Sequence, residues 1–456
     1  MTETQYDQHG MSCRISGRCR GDSSSTFHSI RIQRNLIGGI GMNVMIFNAY
    51  YTPEKAASMN LEEDIAEGFA KEGNLVTMHV PVPSRGISDE VREEYKGKKI
   101  EVQHDGRLMI KRYDLMKEGR NPILRALRYF LQNYKQYRCG IAAKDIDVIF
   151  SGSTPPTQGA MCALVKRKLC KKYGEYVPYV FNLQDIFPDS LVNARMTREG
   201  SLMWKIGRKL EDFTYKNADA IIVISNSFKD NIVAKGVPEE KITVVSNWID
   251  TTQVKHVPKE DNTIYEEFGI DKQKFTVVYA GNFGVSQGAD VVIRAAEYLR
   301  DEKNIQFVIF GGGSEYSMVK KFAEELKLDN IFLFDLLPPS RISEVYSLGD
   351  VSLVTCQPGV GRAGMPSKTW SIMACNTPII ASFDMDSELA EILIDSHAGK
   401  CVAPGDAREL AEAVRAEYQH PAIGHDGRAY VEANASKLIC VGKYVAVLEE
   451  TVKRKA

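Results

Sequence analysis

Apolar residues along this chain fall into short runs separated by longer amphipathic stretches. The run at 43–47 is followed by a helical pattern near 60–72 and by a second apolar run at 75–81. Strands buried in parallel sheets are apolar throughout, and the helices between them are apolar at every third or fourth position. The alternation therefore predicts an α/β protein built on parallel sheets.

This alternation is interrupted once in the first half of the chain. Residues 83–118 have an irregular pattern, and we expect only a short strand there, near 108–110. A helical pattern returns near 122–138, where apolar positions are mixed with basic ones. The other elements predicted in this half are strands at 147–150, 178–182 and 220–224 and helices near 157–173 and 200–217.

A bridging segment at 226–272 separates the two halves, and its last part, roughly from residue 251, is a polar linker. We predict two Rossmann-like, doubly wound domains at 42–225 and 273–430 that face a cleft, with ligands outside the carboxyl ends of the strands. A helix near 433–453 occupies the last segment, 431–456. The strands predicted in the second domain lie at 275–280, 305–310, 331–334, 351–354 and 378–381.

Residues 1–41 differ from the rest of the chain. They are polar, contain five arginines and no lysine, and show little periodicity. Two interpretations stay open: a disordered tail, or a mis-annotated extension ahead of a natural start at Met42.

Composition narrows the functional classes. A net charge of -1 argues against a nucleic-acid partner, and 44% hydrophobic residues are ample for two full cores. The nine cysteines include no Cys-x-x-Cys pair, which weakens zinc and dithiol interpretations. No secretory signal is evident and no apolar run approaches the roughly 20 residues that span a bilayer. We therefore expect a cytoplasmic protein.

The segment from Gly364 to Pro378 carries the most specific chemistry. Its Pro-Ser-Lys, ending in Lys368, opens a predicted short helix, which Ser367 or its neighbour is expected to cap. A helix amino terminus with a lysine in its first turn favours a phosphate or diphosphate. A solvated surface lysine is the plain alternative for Lys368.

Two glycine-containing turns follow the first two predicted strands of the second domain, Gly281 to Gly284 and Gly311 to Ser314. Glycines there let backbone amides approach an anion, although an ordinary strand-to-helix turn explains each of them equally well. Neither fits Gly-x-Gly-x-x-Gly with an acidic residue about 20 positions on, so a nicotinamide enzyme is not favoured.

The order of these motifs is similar to that of retaining glycosyltransferases of family 4, in the branch that builds bacterial capsule, exopolysaccharide and lipopolysaccharide. The matching elements are Gly-Asn-Phe-Gly, Gly-Gly-Gly-Ser, Pro-Ser-Lys, Met-Ala-Cys-Asn-Thr-Pro and Pro-Gly-Asp, and the likeness spans residues 42 to about 420. The resemblance implies a GT-B fold whose last helix crosses back to the first domain. It also implies a nucleotide sugar held by the second domain and no metal or other cofactor.

The chain departs from the family pattern at four positions. Two glutamates usual in the family fall at Ala363 and Ser371, and an Arg and a Lys that are often present fall at Asn282 and Gln287. The second glutamate usually binds the donor ribose, so that contact is in doubt. The positive charge for a diphosphate must then come from Lys368, with Arg362 as the second candidate.

The resemblance and the motifs together assign a set of candidate site residues. Lys368 and Asp185 are the candidate catalytic residues, although Asp185 is equally plausible as a cap of the following turn. The candidate acceptor-binding residues are Glu54, Lys55 and Ser58. The candidate donor-binding residues are Gly281, Asn282, Phe283, Gly284, Gln287, Gly312, Leu337, Arg362, Pro366, Ser367 and Ser371.

Basic residues suggest a further partner, an anionic membrane surface. The helix near 122–138 mixes four Arg and Lys with its apolar residues, and 166–172 holds five positive charges in seven residues. Each basic residue near an anionic leaflet contributes about 1 kcal/mol. A core-facing helix and a solvated charge run are equally open.

We therefore expect a retaining glycosyltransferase of hexosyltransferase type that moves a sugar from a nucleotide diphosphate to a glycan or lipid-linked saccharide. Frequency of use alone favours UDP over GDP. The absent glutamates support a second hypothesis, a non-catalytic GT-B partner subunit. The third hypothesis is a nucleotide-sugar 2-epimerase with the same two-domain fold.

Overall fold

The computed structural model describes residues 41–54, 59–119, 121–193 and 196–454. The chain divides into two compact units, residues 1–41 and residues 42–456. Our expectation for residues 1–41 lies, except for Gly41, outside the described residues. The second unit is described here by itself.

Among the described residues between 43 and 244, eight strands form one sheet. In chain order they are β1 (Asn43–Phe47), β2 (Leu75–Pro81), β3 (Ile100–Gln103), β4 (Leu108–Tyr113), β5 (Val148–Gly152), β6 (Tyr179–Leu183), β7 (Ala220–Val223) and β8 (Ile242–Val244). Their order across the sheet is β3-β4-β2-β1-β5-β6-β7-β8, and only the pair β3 and β4 is antiparallel. The central strands are buried on both faces, which explains their continuous apolar runs.

Seven helices in the described part of the chain belong to this first lobe. They are α1 (Met59–Lys71), α2 (Asp89–Gly97), α3 (Pro122–Ala142), α4 (Gln158–Tyr173), α5 (Asp189–Asn193), α6 (Leu202–Asn217) and α7 (Asn226–Ala234). Side-chain caps define several starts: Asn121 accepts amide hydrogens at the start of α3, and Ser201 and Ser225 do so for α6 and α7. Helices α3, α4 and α6 lie side by side in one layer.

The prediction of an irregular segment at 83–118 is wrong. Residues 83–118 contain α2, β3 and the six-residue strand β4. The sequence concealed α2 because its pattern is charged rather than apolar. The helix is held by Arg92, which is buried and donates hydrogen bonds to the carbonyl oxygens of Pro83 and Leu115 at 2.6 and 2.7 Å.

Six parallel strands form the sheet of the second lobe. They are β9 (Phe275–Asn282), β10 (Ile305–Gly312), β11 (Ile331–Asp335), β12 (Val351–Thr355), β13 (Ile379–Ser382) and β14 (Gly399–Val402), in the order β11-β10-β9-β12-β13-β14. The strand β14 was not among those predicted. Its helices are α8 (Ile264–Glu267), α9 (Asp290–Tyr298), α10 (Tyr316–Leu326), α11 (Ile342–Ser347), α12 (Lys368–Ala374), α13 (Glu388–Asp395), α14 (Ala407–Gln419), α15 (Gly427–Asn434) and α16 (Lys437–Lys453).

The segment at 251–272 does not behave as the polar linker that we predicted. Val254, Ile264, Tyr265 and Ile270 are buried in the same cluster as the apolar residues of the second sheet. Polar residues dominate the segment, but most of its few apolar side chains lie in or against this core. The segment therefore belongs structurally to the second lobe.

Each sheet has one point where the strand order reverses. In the first lobe the chain builds outward from β1 to β4 and then returns to place β5 on the other side of β1. In the second lobe the return lies between β9 and β12. Ligands of doubly wound sheets bind outside the carboxyl ends of the strands at such points.

The last helix crosses back to the first lobe, as expected. Tyr444 and Leu448 of α16 are buried in the same core as Val44 of β1, and the Tyr444 hydroxyl lies 2.9 Å from the Asn182 Oδ1. The lobes also touch across the cleft, because the Glu388 carboxylate accepts hydrogen bonds from the backbone and side-chain nitrogens of Asn226 at 3.2 and 3.3 Å.

Candidate active site

A buried lysine lies at the strand-order reversal of the second lobe. Lys368 begins α12, and its Nζ is inaccessible to solvent and has no hydrogen-bond partner among the described residues. The Nζ lies 3.9 Å from the ring centroid of Tyr279, a cation–π distance. Burial lowers the pKa of Lys368 to about 7. The alternative of a solvated surface lysine is therefore wrong.

Gly281, near the end of β9, makes room for this lysine. Its φ of +145° lies in a region that L side chains rarely adopt, and a Cβ at this position would lie 3.0 Å from the Lys368 Nζ. The first glycine of the turn is thus explained by the approach of a cation, which the sequence alone could not distinguish from an ordinary turn.

The polar groups of the turn after β9 are largely occupied by hydrogen bonds within the protein. The Gln287 Oε1 accepts hydrogen bonds from the Gly284 amide at 3.1 Å and from the Asn282 Nδ2 at 3.2 Å. The Phe283 amide donates to the carbonyl oxygen of Gly312 at 2.6 Å, and the Phe283 ring is buried in the core. The amides of Phe283 and Gly284 are therefore already used, contrary to our expectation that they hold a diphosphate.

The predicted cap of α12 is wrong. Ser367 has helical φ and ψ angles of −59° and −27°, and its side chain makes no capping hydrogen bond. The helix begins instead with a bond from the Thr369 amide to the carbonyl oxygen of Pro366. Ser371, one of the two positions usual for a family glutamate, is buried.

The remaining donor candidates differ in their exposure to solvent. Arg362 is exposed, and its Nε lies 2.9 Å from both carboxylate oxygens of Asp386. That pairing makes it a weaker diphosphate candidate than Lys368. Leu337 packs against the core, and a Cβ at Gly312 would approach the Leu336 side chain to 3.0 Å.

The structure does not support the acceptor-binding role that we predicted for Glu54 in the first lobe. Glu54 is buried, and its carboxylate accepts hydrogen bonds from the backbone amides of Tyr51, Ser84 and Arg85 at 2.8 to 3.3 Å. Glu54 therefore holds a loop together, which disfavours the acceptor contact that we expected. Lys55 and Ser58 lie outside the described residues.

Asp185 keeps the two interpretations that the sequence left open. The side chain is exposed after β6 and accepts a hydrogen bond from the Ser190 hydroxyl at 3.1 Å. That local bond has the form of a turn cap. The residue nevertheless stands at the carboxyl edge of the sheet, where a cleft ligand would lie.

Sequence reasoning missed Asn48 and Glu62, which lie at the strand-order reversal of the first lobe. The Asn48 Nδ2 donates to the Glu62 Oε2 at 2.8 Å. The available signal was positional, because Asn48 directly follows β1 and Glu62 lies in the first turn of the next helix. Within the described residues no group of acidic, histidine and cysteine side chains has the arrangement of a metal site.

Two doubly wound, parallel-sheet lobes are the architecture of the GT-B class, and a buried cation lies at the carboxyl edge of the second lobe. The family model described as "Glycosyl transferases group 1" matches residues 260–421, and "Glycosyltransferase Family 4" matches residues 63–253. The chain belongs to glycosyltransferase family 4 and is a glycosyltransferase.

Similar proteins agree with this assignment. The chain is 28% identical to the probable glycosyltransferase WbjE of Pseudomonas aeruginosa, over 66% of this chain and 74% of WbjE. It is 27% identical to the putative colanic acid biosynthesis glycosyl transferase WcaI of Escherichia coli K12, over 60% of this chain and 68% of WcaI. The fold is similar to that of Anabaena HepE in complex with UDP, with a TM-score of 0.66 and 14% identity over 90% of this chain and 100% of HepE.

Proposed function

We propose that this protein transfers a hexose, with retention of configuration, from a nucleotide diphosphate sugar to a glycan or lipid-linked saccharide during cell-surface polysaccharide synthesis. The observation that carries the donor half of this proposal is the buried ammonium of Lys368, which has no hydrogen-bond partner among the described residues. Burying a cation without a partner is costly, and an anionic diphosphate is a partner of the right charge and size.

The choice of donor and pathway rests on similar proteins. HepE is described in complex with UDP, and WcaI is described as a transferase of colanic acid biosynthesis. Together with the resemblance to the polysaccharide branch of family 4, these descriptions support a UDP-sugar and a polysaccharide product.

The proposed chemistry needs no protein nucleophile. The acceptor oxygen forms a bond to the anomeric carbon on the face from which the diphosphate departs. The bond between that carbon and the β-phosphate oxygen breaks, its electron pair stays on the phosphate, and this oxygen takes the acceptor proton. Lys368 would stabilise the charge that grows on the leaving group, and movement of the lobes would assemble the site.

The experiment is a nucleotide panel followed by turnover. UDP, GDP and their sugars are tested for their effect on the melting temperature, since a ligand at 100 times its Kd adds about 2.7 kcal/mol. We expect UDP to stabilise the protein and Lys368→Ala to lose that shift. Stabilisation by no nucleotide, or an unchanged shift in Lys368→Ala, would contradict the proposal.

A membrane-facing role is proposed from the orientation of α3. Its apolar residues Ile123, Leu124, Leu127, Phe130 and Tyr134 are exposed, whereas Arg128, Gln132 and Gln136 are fully buried. The core-facing alternative is therefore wrong for these apolar residues. In the same layer, Leu202, Met203 and Ile206 of α6 are also exposed.

The inward polar face is held by hydrogen bonds. The Gln136 Nε2 donates to the carbonyl oxygen of Asn48 at 2.9 Å, and Arg128 donates to the Ser84 hydroxyl at 3.1 Å. The basic cluster at 166–172 is smaller than we expected, because Lys166 is buried and paired with Asp219 at 2.6 Å. Among the described residues no helix is long and apolar enough to cross a bilayer.

Flotation with vesicles tests this contact. We expect the protein to float with phosphatidylglycerol-containing vesicles, less so in high salt, and the Phe130→Asp variant to remain in the soluble fraction. Tyr298→Asp, an exposed aromatic position on the second lobe, is the matched control. Equal flotation of both variants would contradict the proposal.

The sequence-based alternative of a non-catalytic partner subunit rests only on the placement of Ala363 and Ser371 where the family usually has glutamates. Sugar nucleotide binding without turnover, over a broad acceptor panel, would contradict the transfer proposed here.

A further inference from the structure

A row of small and amide side chains crosses the first sheet at its strand-order reversal. Gly152, the last residue of β5, pairs with Asn182 of β6, and the preceding pair, Phe47 with Ser151, puts Asn48 beside Gly152 on the other side. Because Gly152 has no side chain, the two asparagines are separated there by the room that a Cβ would take, and the Glu62 Oε1 lies 2.9 Å from that Cβ position. The space lies at the carboxyl edge, where doubly wound sheets hold ligands.

Two helices provide polar groups to this row. Glu62 of α1 is half-buried, and its Oε1 lies 2.9 Å from the position that a Cβ on Gly152 would take. Tyr444 of α16 donates to the Asn182 Oδ1 at 2.9 Å. Glu62, Asn48, Gly152, Asn182 and Tyr444 are together called the acceptor cradle.

Part of the hydrogen-bonding capacity of the acceptor cradle is unused by the protein. The Asn48 Oδ1 and the Asn182 Nδ2 are buried and have no partner in the described part of the chain, and both residues are at least 97% buried. Buried amide atoms are normally paired. One acceptor and one donor beside a carboxylate match the needs of a hydroxyl group, which both donates and accepts.

The charge of the acceptor cradle limits what it binds. Burial raises the pKa of Glu62 to about 7, the Asn48 hydrogen bond opposes that rise, and among the described residues no cation contributes to the shift. An anionic ligand would therefore meet a carboxylate without a counter-charge. The diphosphate belongs at Lys368, and the cradle suits a neutral, hydroxylated ligand.

We propose that the acceptor cradle binds hydroxyl groups of the neutral sugar that receives the transferred hexose, with Glu62 as the acceptor-binding carboxylate. This inference rests on the proposed function for its reaction but not for its binding. Glu54, the sequence-based candidate, has its oxygens occupied by backbone amides, whereas the Glu62 carboxylate is half-buried and accepts a hydrogen bond from the Asn48 side chain.

The first experiment compares transfer to sugar with transfer to water. For Glu62→Gln we expect about 10- to 100-fold lower kcat/KM for the acceptor, as for loss of a hydrogen bond to a charged group. Hydrolysis of the donor and the UDP-induced melting shift should stay within twofold of wild type. Glu72→Gln, an exposed position just after α1, is the matched control. An unchanged kcat/KM, or equal losses in transfer, hydrolysis and the UDP shift, would overturn the proposal.

The second experiment does not depend on turnover. Methyl glycosides of common neutral hexoses are tested for saturation transfer in NMR with wild type, Glu62→Gln and Gly152→Ala. We expect at least one glycoside to bind wild type and to lose its signal in both variants, because the alanine Cβ displaces the Glu62 carboxylate. Binding by no glycoside, or equal binding by all three proteins, means that the cradle holds water only and overturns the proposal. If no nucleotide stabilised the protein but a glycoside bound as expected, the proposed function would be contradicted. The sugar-binding role of the acceptor cradle would still stand.

Discussion

The two lobes share a topology but place opposite charges at the equivalent point. Where the strand order of the second lobe reverses, the Lys368 ammonium is buried without a hydrogen-bond partner among the described residues. At the strand-order reversal of the first lobe, the Glu62 carboxylate faces Asn48 and Gly152. Both groups have a pKa of about 7, the lysine lowered and the glutamate raised by burial. The comparison teaches that one backbone arrangement is specialised by a single titratable group on each side of the cleft.

The largest expected effect is that of Lys368→Met. Loss of one preorganised charge at a leaving group costs about 100- to 1,000-fold in kcat, and we expect the UDP-induced melting shift to vanish. The replacement is apolar and similar in length, so the fold should persist. Lys320→Met, an exposed lysine on α10, is the control and should leave both measurements unchanged. Substantial transfer by the Lys368 variant would break the comparison between the lobes.

Next in size are two glycine substitutions that separate donor from acceptor binding. Gly281→Ala places a methyl group 3.0 Å from the Lys368 Nζ at a φ of +145°, and we expect at least tenfold weaker UDP binding by calorimetry. Gly152→Ala crowds Glu62 and should leave UDP affinity unchanged. If Gly152→Ala weakened UDP binding as much as Gly281→Ala, the two reversal points would not have separate roles.

The effects of Lys368 and Glu62 on the stability of the protein should depend on pH in opposite directions. The folded-state pKa of Lys368 is lowered from 10.5 to about 7, so its burial penalty is full below pH 7 and disappears toward pH 10.5. Lys368→Met should therefore raise the melting temperature most at pH 6, by about 5 °C or more.

Glu62 shows the reverse dependence. Its folded-state pKa is raised from 4.5 to about 7, so the penalty is absent below pH 4.5 and full above pH 7. Glu62→Gln should leave the melting temperature unchanged at pH 4.5 and raise it at pH 8. This rise should be smaller than that of Lys368→Met, because the Glu62 side chain is half-buried. Melting curves of Lys368→Met and Glu62→Gln between pH 4.5 and 9 test both predictions. If the melting-temperature difference from wild type changed with pH in the same direction for both variants, the predicted opposite dependence would be contradicted.

The smallest expected effect concerns the contact between the lobes. Glu388→Gln weakens the hydrogen bonds from Asn226, and partly exposed contacts of this kind contribute about 0.2–1 kcal/mol. We expect a two- to fivefold change in kcat with little change in UDP affinity. Glu391→Gln, on the next turn of α13, is the control, and an effect as large as that of Lys368→Met would show that this contact is part of the donor site.

The elements that the sequence predicted well are those with strong local signals. The apolar runs at 43–47 and 75–81 became β1 and β2, and the Pro-Ser-Lys motif led directly to Lys368. The helix α2 was missed because its stabilising contacts come from Arg92 to distant carbonyl oxygens. Glu62 was missed because its partners Asn48 and Gly152 are 14 and 90 residues away in the chain.

The amino-acid sequence by itself determined the order of strands and helices and the presence of a lysine after β12, because apolar periodicity and helix-start residues act over a few neighbouring positions. Only the tertiary structure decided that this lysine is buried, that Glu54 holds a loop together, and that α3 turns Arg128 and Gln132 inward with Phe130 outward. Burial and hydrogen-bond partners are properties of residues brought together from distant parts of the chain, and no local pattern encodes them.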